Sequence, residues 1–255
     1  GYSSIVQLGE KDGTVNTTIP SVYGKEKGVN IASSTASFNF YDGIIEGKEG
    51  NSITGTVNDK ETGYEVKKTV ENSRETAILE EQFIAEVEST GTTYKNIQDA
   101  VDNTQNTDKI TIINSTSLGN TVESIKIPAE KEITLDLAGF TIEAINNTTF
   151  ENKGKFTIID SSEQKTGNIY GSGANGIILN TENGNLNLES GTLKIKSSGK
   201  AVYNTGSGTV TVNGGNISST ESGYGIFNES TGDVNIQSGN IVLKRSNNVT
   251  RAVYN

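Results

Sequence analysis

Two aspartates, Asp136 and Asp160, are the residues whose positions suggest catalysis most directly, because they follow apolar segments in successive units of the chain. Glycoside hydrolysis needs two carboxylates about 5 to 10 Å apart, and elimination needs a basic residue beside calcium-binding carboxylates. Asp136 lies beside a glycine-containing turn, and Asp160 opens an irregular loop. We therefore expect structural or solvated roles for both carboxylates, and we assign no catalytic residue.

Histidine and cysteine are absent from the sequence. Histidine is the commonest metal ligand and general base, and cysteine provides thiolate ligands and disulfides. The acidic segment 59–61 lacks the regular Asp, Asn and Gly spacing of a calcium loop. We expect no metal site and no cofactor.

Three aromatic residues recur near the end of the chain, and each is followed by an asparagine: Tyr203, Phe227 and Tyr254. Rings repeated once per structural unit can stack on sugar rings, so these three are candidate ligand-binding residues. Rings that stack only on each other would stabilise the fold, and this is the more common role. Lysine and arginine are scattered over the same region, which is typical of a solvated face.

Composition narrows the possible partners of the chain. The net charge is −10 and the isoelectric point is about 4.7, so the protein's field repels nucleic acids and anionic membranes. No segment approaches the roughly 18 apolar residues of a membrane span, and no signal peptide opens the sequence. We expect no nucleic-acid partner and no membrane insertion, and we expect the chain to be a mature or excised piece of a longer protein.

The elements that position these residues come from an internal repeat. Three copies of a 24-residue unit occupy residues 184–207, 208–231 and 232–255. Each unit has about three short strand-like segments and cannot cover its own apolar side chains, so it must stack on its neighbours with strands about 4.8 Å apart. The repeat predicts an all-β fold, a right-handed parallel β-helix with about 24 residues per coil.

Alternation within each unit predicts which side chains point inward on the first two faces. The predicted inward residues of the three units are Leu186, Leu188, Leu193 and Ile195, then Val210, Val212 and Ile217, then Val234, Ile236, Ile241 and Leu243.

The third face allows two orientations. If the β-branched residues point inward, the neighbouring aromatic residues point outward, and the asparagines point inward and bond from coil to coil. If the aromatic residues point inward, no outward aromatic row exists. We favour the first orientation, which predicts a structural ladder of Asn152, Asn180, Asn204, Asn228 and Asn255.

The first part of the chain carries weaker signals. Residues 38–45 share the apolar spacing of the repeat, so we expect β-helix-like coils over 1–50. Residues 51–90 have dense charge and no clear repeat, which indicates an irregular β junction or insertion. Within it, the segments 53–57 and 64–66 are predicted to form a hairpin.

One short helix is predicted near residues 94–102, where Tyr94, Ile97, Ala100 and Val101 follow helical spacing. The helix opens the parallel β-helix module that we expect over 91–255.

The same region resembles a known family. The segments Tyr94 to Val101, Asp108 to Thr111, Ile125 to Pro128 and Lys131 to Ile142 look like the opening of pectate-lyase-like right-handed β-helix modules in large bacterial surface proteins, and GTVTVNGGNI and GYGIFN fit the same group. The resemblance covers about residues 83–255. It implies that the helix caps the first coil, and it implies a secreted or wall-attached, adhesin-like role. No lyase catalytic motif and no wall-sorting motif is present.

The leading hypothesis is a non-catalytic extracellular β-helix segment of a bacterial adhesin-like surface protein. It would serve as a rigid stalk, as a surface that binds polysaccharide, host glycan or host protein, or as both. The alternative is a polysaccharide lyase, a glycoside hydrolase or a phage tailspike-like depolymerase. The expected location is secreted or at the cell surface.

Overall fold

The computed structural model describes residues 4–61, 63–118, 123–144, 148–172, 175–196, 198–244 and 250–255. The predicted fold class is confirmed: the chain is an all-β solenoid of about nine coils, about 24 residues apart, with one short helix in the described part. It divides into two compact units, residues 1–82 and 83–255. In the described part no helix is long and apolar enough to cross a membrane.

The first unit combines parallel ladders with an antiparallel hairpin. Parallel pairing joins β1, β4 and β7, then β2 and β5, then β3 and β6, whereas β5, β9 and β8 pair antiparallel. The strands are β1 (Ser4–Leu8), β2 (Ser21–Tyr23), β3 (Val29–Asn30), β4 (Ala36–Phe40), β5 (Ile44–Lys48), β6 (Ile53–Thr54), β7 (Asp59–Lys60), β8 (Tyr64–Glu71) and β9 (Arg74–Glu81). Their core contains Phe38, Phe40, Ile45, Ile53, Ala77 and Leu79.

The predicted hairpin of 53–57 with 64–66 is wrong. Strand β6 pairs in parallel with β3, and the hairpin is formed by β8 and β9 around Asn72 and Ser73. Both turn residues have positive φ, 51° and 59°. A two-residue turn of this kind matches the right-handed twist of its strands, and asparagine tolerates it without glycine.

The second unit begins with antiparallel strands and the helix. Helix α1 (Ile97–Asn103) follows β10 (Ala85–Val87) and β11 (Thr92–Tyr94). The Asn96 side chain caps the helix by accepting a hydrogen bond from the Asp99 backbone N–H at 2.8 Å. Tyr94 was predicted to belong to the helix but lies in β11, because the cap fixes the first turn later. Ile97, Ala100 and Val101 are buried, as the helical spacing predicts.

Three faces follow, each a stack of parallel strands. The first face contains β12 (Asp108–Ile112), β15 (Glu132–Asp136), β18 (Lys155–Ile159), β21 (Asn185–Leu188) and the first parts of β24 (Val210–Ser219) and β26 (Val234–Val242). The second contains β13 (Thr116–Ser117), β16 (Thr141–Ala144), β19 (Asn168–Gly171), β22 (Thr192–Ile195) and the ends of β24 and β26. The third contains β14 (Ile125–Ile127), β17 (Phe150–Asn152), β20 (Ile178–Asn180), β23 (Gly199–Asn204), β25 (Gly223–Asn228) and β27 (Arg251–Tyr254).

The inward rows form the core between the faces. The predicted inward residues of the first two repeats are buried, and their strands pair in register, with Leu186 beside Val210 and Leu193 beside Ile217. The third repeat keeps this register, yet Ile236 is 49% exposed because its coil is the last of the described stack. The faces therefore hold the side chains of successive coils at fixed lateral positions.

Candidate ligand-binding face

The third face places its asparagines inward and its aromatic residues outward. Val202 and Ile226 are almost completely buried, Tyr203 and Phe227 are half-buried, and Tyr254 is 42% exposed. Strand period two then turns Asn204 to the inside, where it is fully buried. This is the first of the two predicted orientations, with the β-branched residues and the asparagines inward and the aromatic residues outward.

The inward asparagines bond to one another from coil to coil. Asn152 Nδ2 donates to Asn180 Oδ1 at 2.7 Å, and the same contact at 2.8 Å joins Asn180 to Asn204 and Asn204 to Asn228. Asn228 Nδ2 donates in turn to Asn255 Oδ1. The four buried amides, those of Asn152, Asn180, Asn204 and Asn228, therefore have partners, so the polar row does not destabilise the core, whereas Asn255 in the last coil is exposed.

Asn180, Asn204 and Asn228 also bond to the turn that follows each of them. Asn180 Nδ2 donates to the backbone oxygen of Gly184 at 2.6 Å, and Asn228 makes the equivalent bond to Gly232 at 3.0 Å. A Cβ on Gly184 would lie 2.5 Å from the Asn152 backbone oxygen, so only glycine fits there. The sequence carries this signal as a glycine four residues after Asn180, Asn204 and Asn228.

The outward rings form an aromatic cluster of Tyr203, Tyr224, Phe227 and Tyr254. Phe227 and Tyr254 stack face to face, with centroids 4.6 Å apart and an interplanar angle of 8°. Tyr203 meets Phe227 edge to face at 5.5 Å, and Tyr224 meets Phe227 in the same way at 4.8 Å. Tyr224 was not among the predicted site residues. Tyr224 does not directly precede an asparagine, as Tyr203, Phe227 and Tyr254 do. In the sequence it stands out by its two glycine neighbours.

Two cations lie against this cluster. Lys200 Nζ is 4.4 Å from the Tyr203 ring centroid and 5.1 Å from that of Phe227, and Arg251 Cζ is 5.8 Å from that of Tyr254. These distances are typical of cation–π contacts. Lys200 and Arg251 belong to the basic residues predicted as a solvated face, yet both contact aromatic rings.

One carboxylate adjoins the aromatic cluster. The Tyr203 hydroxyl donates a hydrogen bond to the Glu229 carboxylate, and this bond, together with burial, raises the pKa of Tyr203. The phenol therefore stays protonated at neutral pH and keeps its donor role. Rings, cations and one carboxylate lie within a few coils, which is a suitable combination for a polar ligand with apolar patches.

The two candidate catalytic aspartates lie where strands of the first face end: Asp136 is the last residue of β15, Asp160 directly follows β18, and both are 1% exposed. Asp136 Oδ1 accepts the N–H groups of Ala138 at 3.0 Å and Ser161 at 2.8 Å. Asp160 accepts those of Gly139 at 2.8 Å and Gly167 at 2.6 Å. Both carboxylates bind backbone N–H groups and hold the turns.

The hydrogen bonds to Asp160 also determine whether its carboxyl group is ionised. Burial alone would raise its pKa, but the hydrogen bonds from the surrounding chain outweigh burial and lower the pKa below its usual range. The carboxylate is consequently ionised at neutral pH, and it is an acceptor rather than a proton donor. In the described residues no group of three or more acidic side chains is placed to hold a metal ion.

The geometry of the third face is therefore the main guide to function. No family model, curated protein or solved structure matches this chain. The arrangement consists of a buried amide ladder under an exposed aromatic cluster, and it can both lock coils together and present rings, two cations and one carboxylate to a ligand.

Proposed function

We propose that the chain is a non-catalytic β-helix segment of a bacterial adhesin-like protein and acts outside the cell as a rigid spacer. The carrying observation is the continuity of side-chain contacts along the third face. Each asparagine from Asn152 to Asn228 donates to the next coil, and Phe227 stacks on Tyr254. Backbone pairing on three faces adds to these contacts, so each coil is held by its neighbours rather than by one thick core.

A spacer can be tested by stretching single molecules. One coil of about 24 residues releases roughly 80 Å of chain when it unfolds, at about 3.3 to 3.6 Å per residue. We expect resistance to force and extension in multiples of that length. Smooth extension at low force would contradict a load-bearing spacer. Antibody labelling of intact cells that carry the parent protein checks the location, and labelling only after lysis would contradict a surface role.

A second function, glycan or host-protein binding by the third face, is supported by the exposure of the aromatic cluster. Tyr254 is 42% exposed, and Lys200 and Arg251 lie beside the rings. Phe227 is less available, because Tyr254 covers one face of its ring. A ligand on this face would therefore contact Tyr203 and Tyr254 first.

The enzymatic alternative is a polysaccharide lyase, a glycoside hydrolase or a tailspike-like depolymerase. It is disfavoured at the two predicted aspartates, because Asp136 and Asp160 are buried and bind backbone N–H groups. General acid or base catalysis needs a carboxyl group that can reach the substrate.

Binding and turnover are separated by a glycan array run with a reducing-sugar assay on acidic polysaccharides. We expect retention of at least one glycan without release of reducing ends. The Tyr254→Ala variant should lose that binding, whereas Tyr23→Ala, which removes a tyrosine 64% exposed in the first unit, should not. Reducing ends produced by the wild type would overturn the non-catalytic proposal. Equal binding by wild type and Tyr254→Ala would show that the third face is not the binding surface.

A further inference from the structure

A second aromatic residue with two cations lies on the second face, away from the aromatic cluster. Tyr170 points outward from β19, between the buried residues Ile169 and Gly171. Lys194 Nζ is 5.4 Å from its ring centroid, and Lys196 Nζ is 5.2 Å from it. Both lysines come from the next coil, since Tyr170 pairs with Lys194 in the parallel ladder. Stacking of coils thus brings two ammonium groups to one ring.

Charge around this ring is unbalanced. Lys196 forms an ion pair with Glu143 at 2.8 Å, and Glu143 is the partner of Tyr170 in the preceding coil. Lys194 is exposed, and among the described residues no carboxylate lies within ion-pair distance of its ammonium group. Lys155 on the first face, by contrast, pairs with Glu132 at 3.1 Å. Two cations and one carboxylate leave one positive charge at Tyr170 without a counter-charge.

Tyr170 belongs to an outward row of the second face with its ladder partners Glu143 and Lys194. A second outward row runs beside it and consists of threonine and asparagine. Asn168 Nδ2 donates to Thr141 Oγ1 at 2.9 Å, and Asn240 Nδ2 donates to Asn216 Oδ1 at 3.0 Å. Hydroxyl and amide groups offer both donors and acceptors, which suits the hydroxyl groups of sugars. In the ladder the row runs in the order Thr141, Asn168, Thr192, Asn216 and Asn240, one residue per coil.

We propose that the second face binds a polysaccharide with anionic substituents, with the anion between Lys194 and Lys196 and a sugar ring near Tyr170. Strands of successive coils lie about 4.8 Å apart, so an extended chain that crosses them meets the hydroxyl and amide row at regular intervals. The lysine ammonium group is a compact positive charge that can form ion pairs with both carboxylate and sulfate groups. The site is distinct from the third face, and it does not depend on binding there.

The net charge of −10 opposes the binding of an anionic polymer. The protein as a whole repels a polyanion, whereas the excess charge at Lys194 attracts it only at short range. Glu143 competes with the ligand for Lys196. We therefore expect binding that weakens with salt and that strengthens when Glu143 is neutralised.

The test uses the full chain with three polymers that share one backbone: dextran, carboxymethyl-dextran and dextran sulfate. Affinity is measured by calorimetry in low-salt buffer, with polyglutamate as a non-sugar polyanion. We expect binding of at least one anionic dextran and no binding of neutral dextran. The preferred polymer identifies the anionic group as carboxylate or sulfate.

Three variants decide the location. Lys194 is exposed, so water and salt screen its contact with an anion, and Lys194→Gln should weaken binding by about two- to fivefold. Lys155→Gln, the matched lysine on the first face, should leave the affinity unchanged. Glu143→Gln should strengthen binding, a result that misfolding does not produce.

Several results would overturn the proposal. These are failure of both anionic dextrans to bind the wild type, equal losses in Lys194→Gln and Lys155→Gln, and no gain in Glu143→Gln. Binding of polyglutamate as tight as that of the anionic dextrans would show general attraction of polyanions, and it would exclude recognition of a sugar.

Discussion

Replacement of one buried asparagine tests the amide ladder of the third face. Asn204 is fully buried, and its Oδ1 accepts from Asn180 Nδ2 while its Nδ2 donates to Asn228 Oδ1, both at 2.8 Å. The Asn204→Leu variant keeps nearly the same size but removes both ladder bonds. The neighbours keep other partners, since Asn180 still reaches the Gly184 oxygen and Asn228 still accepts from Ser230 Oγ.

The expected cost follows from this geometry. A net hydrogen bond contributes about 1 kcal/mol, and a buried polar group left without any partner costs roughly 1 to 3 kcal/mol. The variant loses both ladder bonds and the bond from Asn204 Nδ2 to Ser230 Oγ at 3.0 Å, together with a longer contact to the Gly208 backbone oxygen at 3.5 Å. Both neighbouring amides keep part of their bonding, so the free energy of unfolding should fall by about 3 kcal/mol. The control Asn216→Leu removes an outward amide that accepts one exposed bond from Asn240. It should cost less than about 0.5 kcal/mol.

Urea denaturation gives both values. The chain has nine tyrosines and no tryptophan, so tyrosine fluorescence and far-UV circular dichroism are the probes. Coincident curves from the two probes justify a two-state analysis and a linear extrapolation. The reasoning is refuted if Asn204→Leu loses no more stability than Asn216→Leu.

Three further perturbations test other parts of the fold. Ser73→Gly should raise the free energy of unfolding by up to about 1 kcal/mol in urea titrations, because Ser73 has a φ of 59° in the hairpin turn and relief of this left-handed conformation exceeds the entropic cost of glycine; a loss of stability would contradict that turn. The lowered pKa of Asp160 stabilises the fold above the unfolded-state value of roughly 4, and this contribution disappears as pH falls through the folded-state value. Asp160→Asn should thus be less stable than the wild type at pH 7, with a smaller difference near pH 3, and a difference independent of pH would be inconsistent. Phe227→Leu should lose about 0.5 to 1.5 kcal/mol of aromatic stacking in thermal or urea unfolding, and an unchanged midpoint would show that the stack with Tyr254 contributes nothing.

The repeat made most of the second unit predictable. Period-two alternation assigns inward residues such as Leu186 and Leu193, because a side chain on the wrong face would put apolar surface in water at every coil. The third face was less certain, since Val202, Tyr203 and Asn204 combine a β-branched, an aromatic and a polar residue. Burial of Val202 decides the orientation, and the asparagine bonds compensate for the buried amide.

Other features depend on contacts distant in sequence. The hairpin prediction fails because the segment near residue 53 pairs with Val29–Asn30, and no local signal identifies that partner. Lys200 reaches the Phe227 ring, and Tyr224 reaches the Tyr254 ring, only because adjacent coils stack in register. Tyr170 and its two lysines come together for the same reason, although they are 24 to 26 positions apart along the chain. Contacts between side chains of adjacent coils therefore depend on the strand register. The repeat length alone indicates this register only approximately.

The most direct test of the third face uses single cysteines, because the chain has none of its own. Cysteine is introduced separately at Val202, Tyr203 and Asn204, and each variant is treated with a thiol reagent under native conditions. Outward aromatic residues and inward asparagines predict rapid modification of Tyr203→Cys, with Val202→Cys and Asn204→Cys protected until denaturant is added. Rapid modification of Asn204→Cys with protection of Tyr203→Cys would place the aromatic residues inside, and it would contradict both the amide ladder and the exposed aromatic cluster.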